Sequence, residues 1–71
     1  MTKLLLYGHI GSRSFYIGES YRPEDLDKLK AKHNAFHLYI IKDPKGRVIA
    51  KIKSNEKAKE ILAWYTTIYQ R

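Results

Sequence analysis

Aromatic rings beside lysine and arginine suit one chemistry in particular: rings stack on unpaired bases, and cations neutralise phosphates. In this 71-residue chain Tyr7, Tyr16 and Tyr39 fall in segments where apolar and polar residues alternate. Arg47, Lys51 and Lys53 recur along a fourth such segment, and Lys45 occupies the turn before it. If these residues share a sheet face with His9 and His37, they form an aromatic, basic surface for DNA or RNA. The same parity places Leu5, Ile41 and Ile49 among them. Exposed aliphatics around rings suit a protein contact or a homodimer, so Leu5, Tyr39, Ile41 and Ile49 define an alternative interface with a lysine rim. Both readings compete with ordinary sheet chemistry. Tyrosine is a good strand former, cross-strand aromatic pairs stabilise sheets, and strand lysines discourage edge-to-edge pairing.

No residue set suggests catalysis. His33 and His37 are four apart, but Asn34 and the strand beginning near Ala35 separate them. The chain contains no cysteine, and no carboxylate lies at ligand spacing, so no metal site is expected. Glu24, Asp25 and Asp27 read as charges at a helix start, not as an acid–base pair. Gly8, Gly11 and Gly18 do not form a phosphate-cradling loop before a helix. A non-enzymatic module without cofactor is expected.

Length and composition agree. Seventy-one residues make one domain near the lower limit for a free-standing core, with no disulfide to staple it. Hydrophobic content of 44% favours a folded domain over disorder. Leu4-Leu5-Leu6 is too short for a signal-peptide core or a membrane span, so a soluble, cytoplasmic protein is expected. The formal net charge of +7 attracts polyanions, and most of the excess lies in the second half.

The elements that must position these residues repeat in order. Alternation marks strands from Lys3 to His9 and from Arg13 to Glu19, joined by Gly11-Ser12, a glycine-first pair suited to a type II′ turn. That turn pairs Ile10 with Arg13 and Leu6 with Ile17. Leu4, Leu6, Phe15 and Ile17 then share one face; Leu5, Tyr7, His9, Ser14, Tyr16 and Gly18 share the other. Pro23 opens a helix with acids at its start and Lys28, Lys30 and Lys32 toward its end, which complements the helix dipole. Its apolar stripe is thin, chiefly Leu26 and Leu29. Strands follow from Phe36 to Lys42 and from Arg47 to Lys53, joined by Asp43-Pro44-Lys45-Gly46 through a type I turn with a glycine bulge. That register sets Ile40 opposite Ala50 and Leu38 opposite Ile52. It gives an apolar face of Leu38, Ile40, Val48, Ala50 and Ile52. It leaves Tyr39, Ile41, Arg47, Ile49, Lys51 and Lys53 on the open side and turns Lys42 toward the helices. A second helix is predicted from Asn55 to Tyr69, capped by Ser54, burying Ala58, Ile61, Leu62, Trp64, Tyr65, Ile68 and Tyr69.

Two stretches resemble known families. Tyr16-Ile17-Gly18, with Tyr7 on the preceding strand and a helix following, resembles the start of GIY-YIG nucleases over about the first half of the chain. That resemblance implies a nuclease fold, and its activity requires an arginine on the helix and a later metal-binding glutamate. Here the helix offers Lys28 and Lys30, and the later region does not match. Tyr39 through Ala58, with Asp43-Pro44, is similar to the hairpin and helix of integrase arm-binding domains, which implies a sheet laid into a DNA groove.

The fold expected is α+β in ββαββα order: one four-stranded antiparallel sheet with both helices on one face. Strand order is left open. The expected partner is nucleic acid through the open face; a protein partner or second copy is the alternative.

Overall fold

A computed structural model describes residues 3–62. The chain forms β1 (Leu4–Ile10), β2 (Arg13–Ser20), α1 (Pro23–Lys32), β3 (Leu38–Lys42) and β4 (Val48–Lys53). A second helix, α2, begins at residue 58. The strands make one antiparallel sheet in the order β2-β1-β3-β4, so α1 carries the chain from one edge across β1 to β3. This is the expected α+β fold in ββαββα order. Trp64, Tyr65, Ile68 and Tyr69, predicted for the second helix, lie outside the described residues.

Both helices press on the same side of the sheet. Leu26 of α1 and Ala58 and Leu62 of α2 meet Leu6, Tyr39, Ile41, Ala50 and Ile52 in one core. The helix start at Pro23 is as read, with Glu24 and Asp25 in the first turn and Lys30 and Lys32 in the last. Leu29 packs over β2 at Gly18, where a Cβ would lie 2.9 Å from a Leu29 methyl. Gly18 therefore belongs to the helix side, not to the open face.

Both turns have the expected chemistry. Gly11 has φ +59°, and no described residue other than glycine has a positive φ, which fits the type II′ pattern and excludes I′. In the second hairpin the Gly46 amide donates to the Asp43 carbonyl at 2.9 Å, the Asp43 amide donates to the Arg47 carbonyl at 2.9 Å, and Gly46 has φ +86°. That is a type I turn closed by a glycine bulge.

Beyond each turn the ladder slips by one residue. In the first hairpin the pairs run as expected from Ile10–Arg13 to Tyr7–Tyr16, then jump to Leu6–Gly18. Ile17 is the extra residue of a β-bulge, and it still packs against the core. In the second hairpin Lys42 pairs with Val48, but Ile41 pairs with Ala50, so Ile49 is extra. Tyr39 now faces Ile52, and Ile40 faces Lys51. Because side chains alternate with period two, the inserted Ile49 turns β3 and Val48 over relative to Ala50 and Ile52, which keep the helix side. Tyr39 and Ile41, expected on the open face, are core residues at 1% and 0% exposure. Ile49 leans against the core. Leu38, Ile40 and Lys42 move to the open face. Val48, expected in the core, is 51% exposed.

α2 starts three residues later than predicted, and Ser54 does not cap it. Residues 54–56 form a turn instead, in which the Glu56 carboxylate accepts the Lys53 amide at 2.8 Å. The cap comes from α1: Asp27 accepts the amides of Ala58 at 2.6 Å and Lys59 at 3.0 Å. These are unpaired donors of the first helical turn, which an acceptor oxygen normally satisfies. Next to it Lys30 is buried, its ammonium donating to the Glu56 carbonyl and to that of Lys53 at 3.4 Å. Burial pushes its pKa down, against the pull of Asp27 and Glu56. Two polar residues of α1 thus fix the entry of α2. Asp27→Ala is expected to cost about 1–2 kcal/mol in urea unfolding, the range of a lost cap. Asp27→Asn, which keeps one acceptor, should recover part of that. A full-strength Asp27→Ala variant would mean these bonds contribute nothing net.

Candidate functional site

Among the described residues the helices leave one sheet face bare, and the pairing lays its residues out in three rows across the strands. The first row is Ser14, His9, Leu38 and Lys53. The second is Tyr16, Tyr7, Ile40 and Lys51, and the third is Glu19, Leu5, Lys42 and Val48. Each row runs from β2 through β1 and β3 to β4, so the strands set a gradient. Rings lie toward β2 and β1, aliphatics occupy the middle, and cations lie toward β3 and β4.

Tyr7 and Tyr16 are a directly opposed cross-strand pair, and their ring centroids are 5.6 Å apart in an edge-to-face arrangement. Such pairs contribute about 0.5–1.5 kcal/mol beyond area burial. Tyr16 is 53% exposed. Its hydroxyl donates to the Glu19 carboxylate, whose other oxygen lies 2.6 Å from the Lys3 ammonium. The hydrogen bond to Glu19 pushes the Tyr16 pKa up, so this ring stays a neutral phenol. Lys3 and then Tyr16 hold the Glu19 pKa below the usual carboxylate range. On the other side of Tyr7, the Lys42 ammonium lies 4.8 Å from the ring centroid, within cation–π range.

His9 closes the row nearest the first turn. Its Nδ1 lies 3.3 Å from the Gly11 carbonyl and its Nε2 is 3.1 Å from the Ser14 hydroxyl. Because a carbonyl only accepts, Nδ1 carries the proton of the first bond. Ile40 sits at the centre of the face at only 7% exposure. Leu5 and Leu38 are half-buried, and Val48 is the exposed aliphatic of the set.

The hairpin tip lies at one end of the cationic side. Lys45 is exposed there. Arg47 donates from Nε to Asp43 Oδ2 at 2.9 Å. Asp43 also accepts the amides of Lys45 and Arg47 at 3.0 and 2.8 Å. The Arg47 backbone amide, and after it the guanidinium, hold the Asp43 carboxyl below its usual range against the effect of burial. Arg47 therefore helps to build the turn, with part of its charge neutralised, while its side chain stays largely exposed.

Of the sequence-predicted set, Tyr7, Tyr16, Lys51 and Lys53 share the face, with Lys45 and Arg47 at its hairpin end. Tyr39 does not belong to it: its ring is in the core and its hydroxyl donates to the His33 carbonyl at 2.6 Å. Of the alternative interface, Leu5 remains on the face. Tyr39 and Ile41 are buried, and Ile49 packs against the core. Lys42 is the cation of the open face that parity reading missed. It turns over together with the rest of β3, and no residue there signals the bulge that causes it.

Among the described residues no group of three or more histidines, aspartates or glutamates converges as a metal site would. Among the same residues no helix is long and apolar enough to cross a membrane. No family model, curated protein or solved structure matches the chain.

Proposed function

We propose that this chain is a small, non-enzymatic nucleic-acid-binding module that uses the open sheet face. The observation that carries the reading is the row Tyr16–Tyr7–Ile40–Lys51, flanked by Lys42 and Lys53. It puts an exposed aromatic ring, an apolar floor and a cation along one line across the sheet. Stacking contributes about 1–3 kcal/mol per base, and Lys42, Lys51, Lys53 and Lys45 supply the phosphate contacts. The net charge of +7 adds long-range attraction.

The protein-contact reading is the weaker of the two. A stable interface needs exposed apolar area at its centre. Ile41 is fully buried, and Ile40 has little surface to offer, so Val48 and parts of Leu5 and Leu38 are what remain.

The test is fluorescence anisotropy with labelled oligonucleotides across ionic strength. With about four phosphates engaged, a single strand should lose about 50-fold in affinity between roughly 50 and 200 mM salt. Lys51→Glu with Lys53→Glu should weaken binding about 100-fold or more while the protein stays folded, since both side chains are exposed. Unchanged affinity in that double variant would remove the cationic edge from the account. A salt-insensitive dimer that binds no oligonucleotide would favour the protein-contact reading.

A further inference from the structure

The two sides of the open face are not equivalent, and that asymmetry bears on which form of nucleic acid fits. Lys42, Lys51 and Lys53 all come from β3 and β4. On the β2 side the charged residue of the open face is Glu19, already paired with Lys3; the other charge of β2, Arg13, stands at the hairpin end opposite Ile10, on the parity of the helix side. A duplex groove is bordered by two phosphate backbones, and a sheet seated in it needs cations along both borders. Among the described residues this face offers them along one. At the other it offers an aromatic ring and a carboxylate.

The rings point the same way. Tyr7 has Tyr16 at its edge and the Lys42 ammonium over its face. Tyr16 is the ring with free surface, 53% exposed. A base can stack on it only when it has left its own neighbours, as in a single strand; in a duplex both faces of each base are already covered. We infer that the ligand of this face is single-stranded nucleic acid, its bases toward Tyr16 and its one backbone along Lys42, Lys51 and Lys53. The inference rests on the nucleic-acid reading above and narrows it.

The experiment compares the full chain against a mixed-sequence strand of roughly 12 nucleotides, in DNA and RNA form, and the blunt duplexes of the same sequence. The expected result is binding to the strand at least ~10-fold tighter than to the duplex at equal salt. Tyr16→Ala should cut strand affinity about 10-fold and leave duplex affinity unchanged, while Tyr16→Phe, which keeps the ring and loses the Glu19 bond, should stay within about 3-fold of the parent. Duplex binding as tight as strand binding would overturn the inference and leave the nucleic-acid reading standing, as would equal losses for both ligands in Tyr16→Ala. Binding to neither ligand at low salt would overturn both.

Discussion

Tyr39→Ala is expected to cost about 3–5 kcal/mol, the range for deleting a large aromatic side chain from a packed core. The ring is 1% exposed and among the largest fully buried side chains of the described residues. It lies edge-to-face with Phe36 at 5.8 Å between centroids, and the buried Lys30 ammonium sits 5.3 Å from its own centroid. Burial pushes its phenol pKa up, so the hydroxyl serves as a neutral donor to the His33 carbonyl. A domain of this length has a total stability of about 4–10 kcal/mol, so the alanine variant should be largely unfolded or close to it. Tyr39→Phe keeps the ring and loses one hydrogen bond, a cost of about 1 kcal/mol. Urea unfolding followed by circular dichroism measures both. A surface stacking ring would behave in the opposite way: Tyr39→Ala would barely move the unfolding midpoint and would weaken oligonucleotide binding. That outcome would place Tyr39 on the open face after all and undo the register described for β3 and β4.

The fold was legible in the sequence because its signals are local. Gly11-Ser12 and Asp43-Pro44-Lys45-Gly46 specify their turns through φ and proline chemistry, and Pro23 with its acids marks a helix start. These cues do not depend on what packs where. The face of each residue was legible only where a strand's own alternation fixed it, and a bulge broke the inference from one strand to the next: Lys42 and Val48, on the turn side of the Ile49 bulge, were paired correctly but set on the wrong face. Tyr7 and Tyr16 lie on the near side of the Ile17 bulge and were placed correctly. Tyr39, Ile40 and Ile41 lie beyond the Ile49 bulge, and all three were inverted. No residue type announces either bulge: Ile17 and Ile49 are good strand formers in apolar company. β3 itself gave no check, since Leu38-Tyr39-Ile40-Ile41 is apolar at every position and either parity yields a plausible core face. Lys51 and Ile52 were placed correctly because β4 beyond its bulge alternates cleanly and the expected parity there coincides with the observed one. The contribution of Asp27 to α2 was beyond reach for a different reason. It joins residues 31 positions apart, and sequence proximity to Glu24 and Asp25 gave it a sufficient local explanation.

Gly8→Val is expected to destabilise by about 3 kcal/mol, although strand propensity alone argues for a gain. Glycine weakens a strand interior, and a β-branched residue there is ordinarily worth up to about 1 kcal/mol. Gly8 is in the middle of β1, between Phe15 on β2 and Tyr39 on β3. The ring of Phe36 lies flat against this gap, 5.9 Å from Phe15 and 5.8 Å from Tyr39 between centroids. A Cβ on Gly8 would come within 2.5–2.6 Å of three Phe36 ring atoms, including the atom nearest its backbone. The ring cannot tilt clear of such a contact at its base; it must leave, forfeiting about 1.5–3 kcal/mol of its own burial and opening the contact with Tyr39. Clash therefore outweighs propensity, and the sign is negative. The check is a double-mutant cycle on urea unfolding. Phe36→Ala alone should also destabilise, but Gly8→Val added to it should cost little or even help, giving a coupling of about 1–3 kcal/mol. Additive losses would mean that Gly8 is constrained by something other than the ring above it.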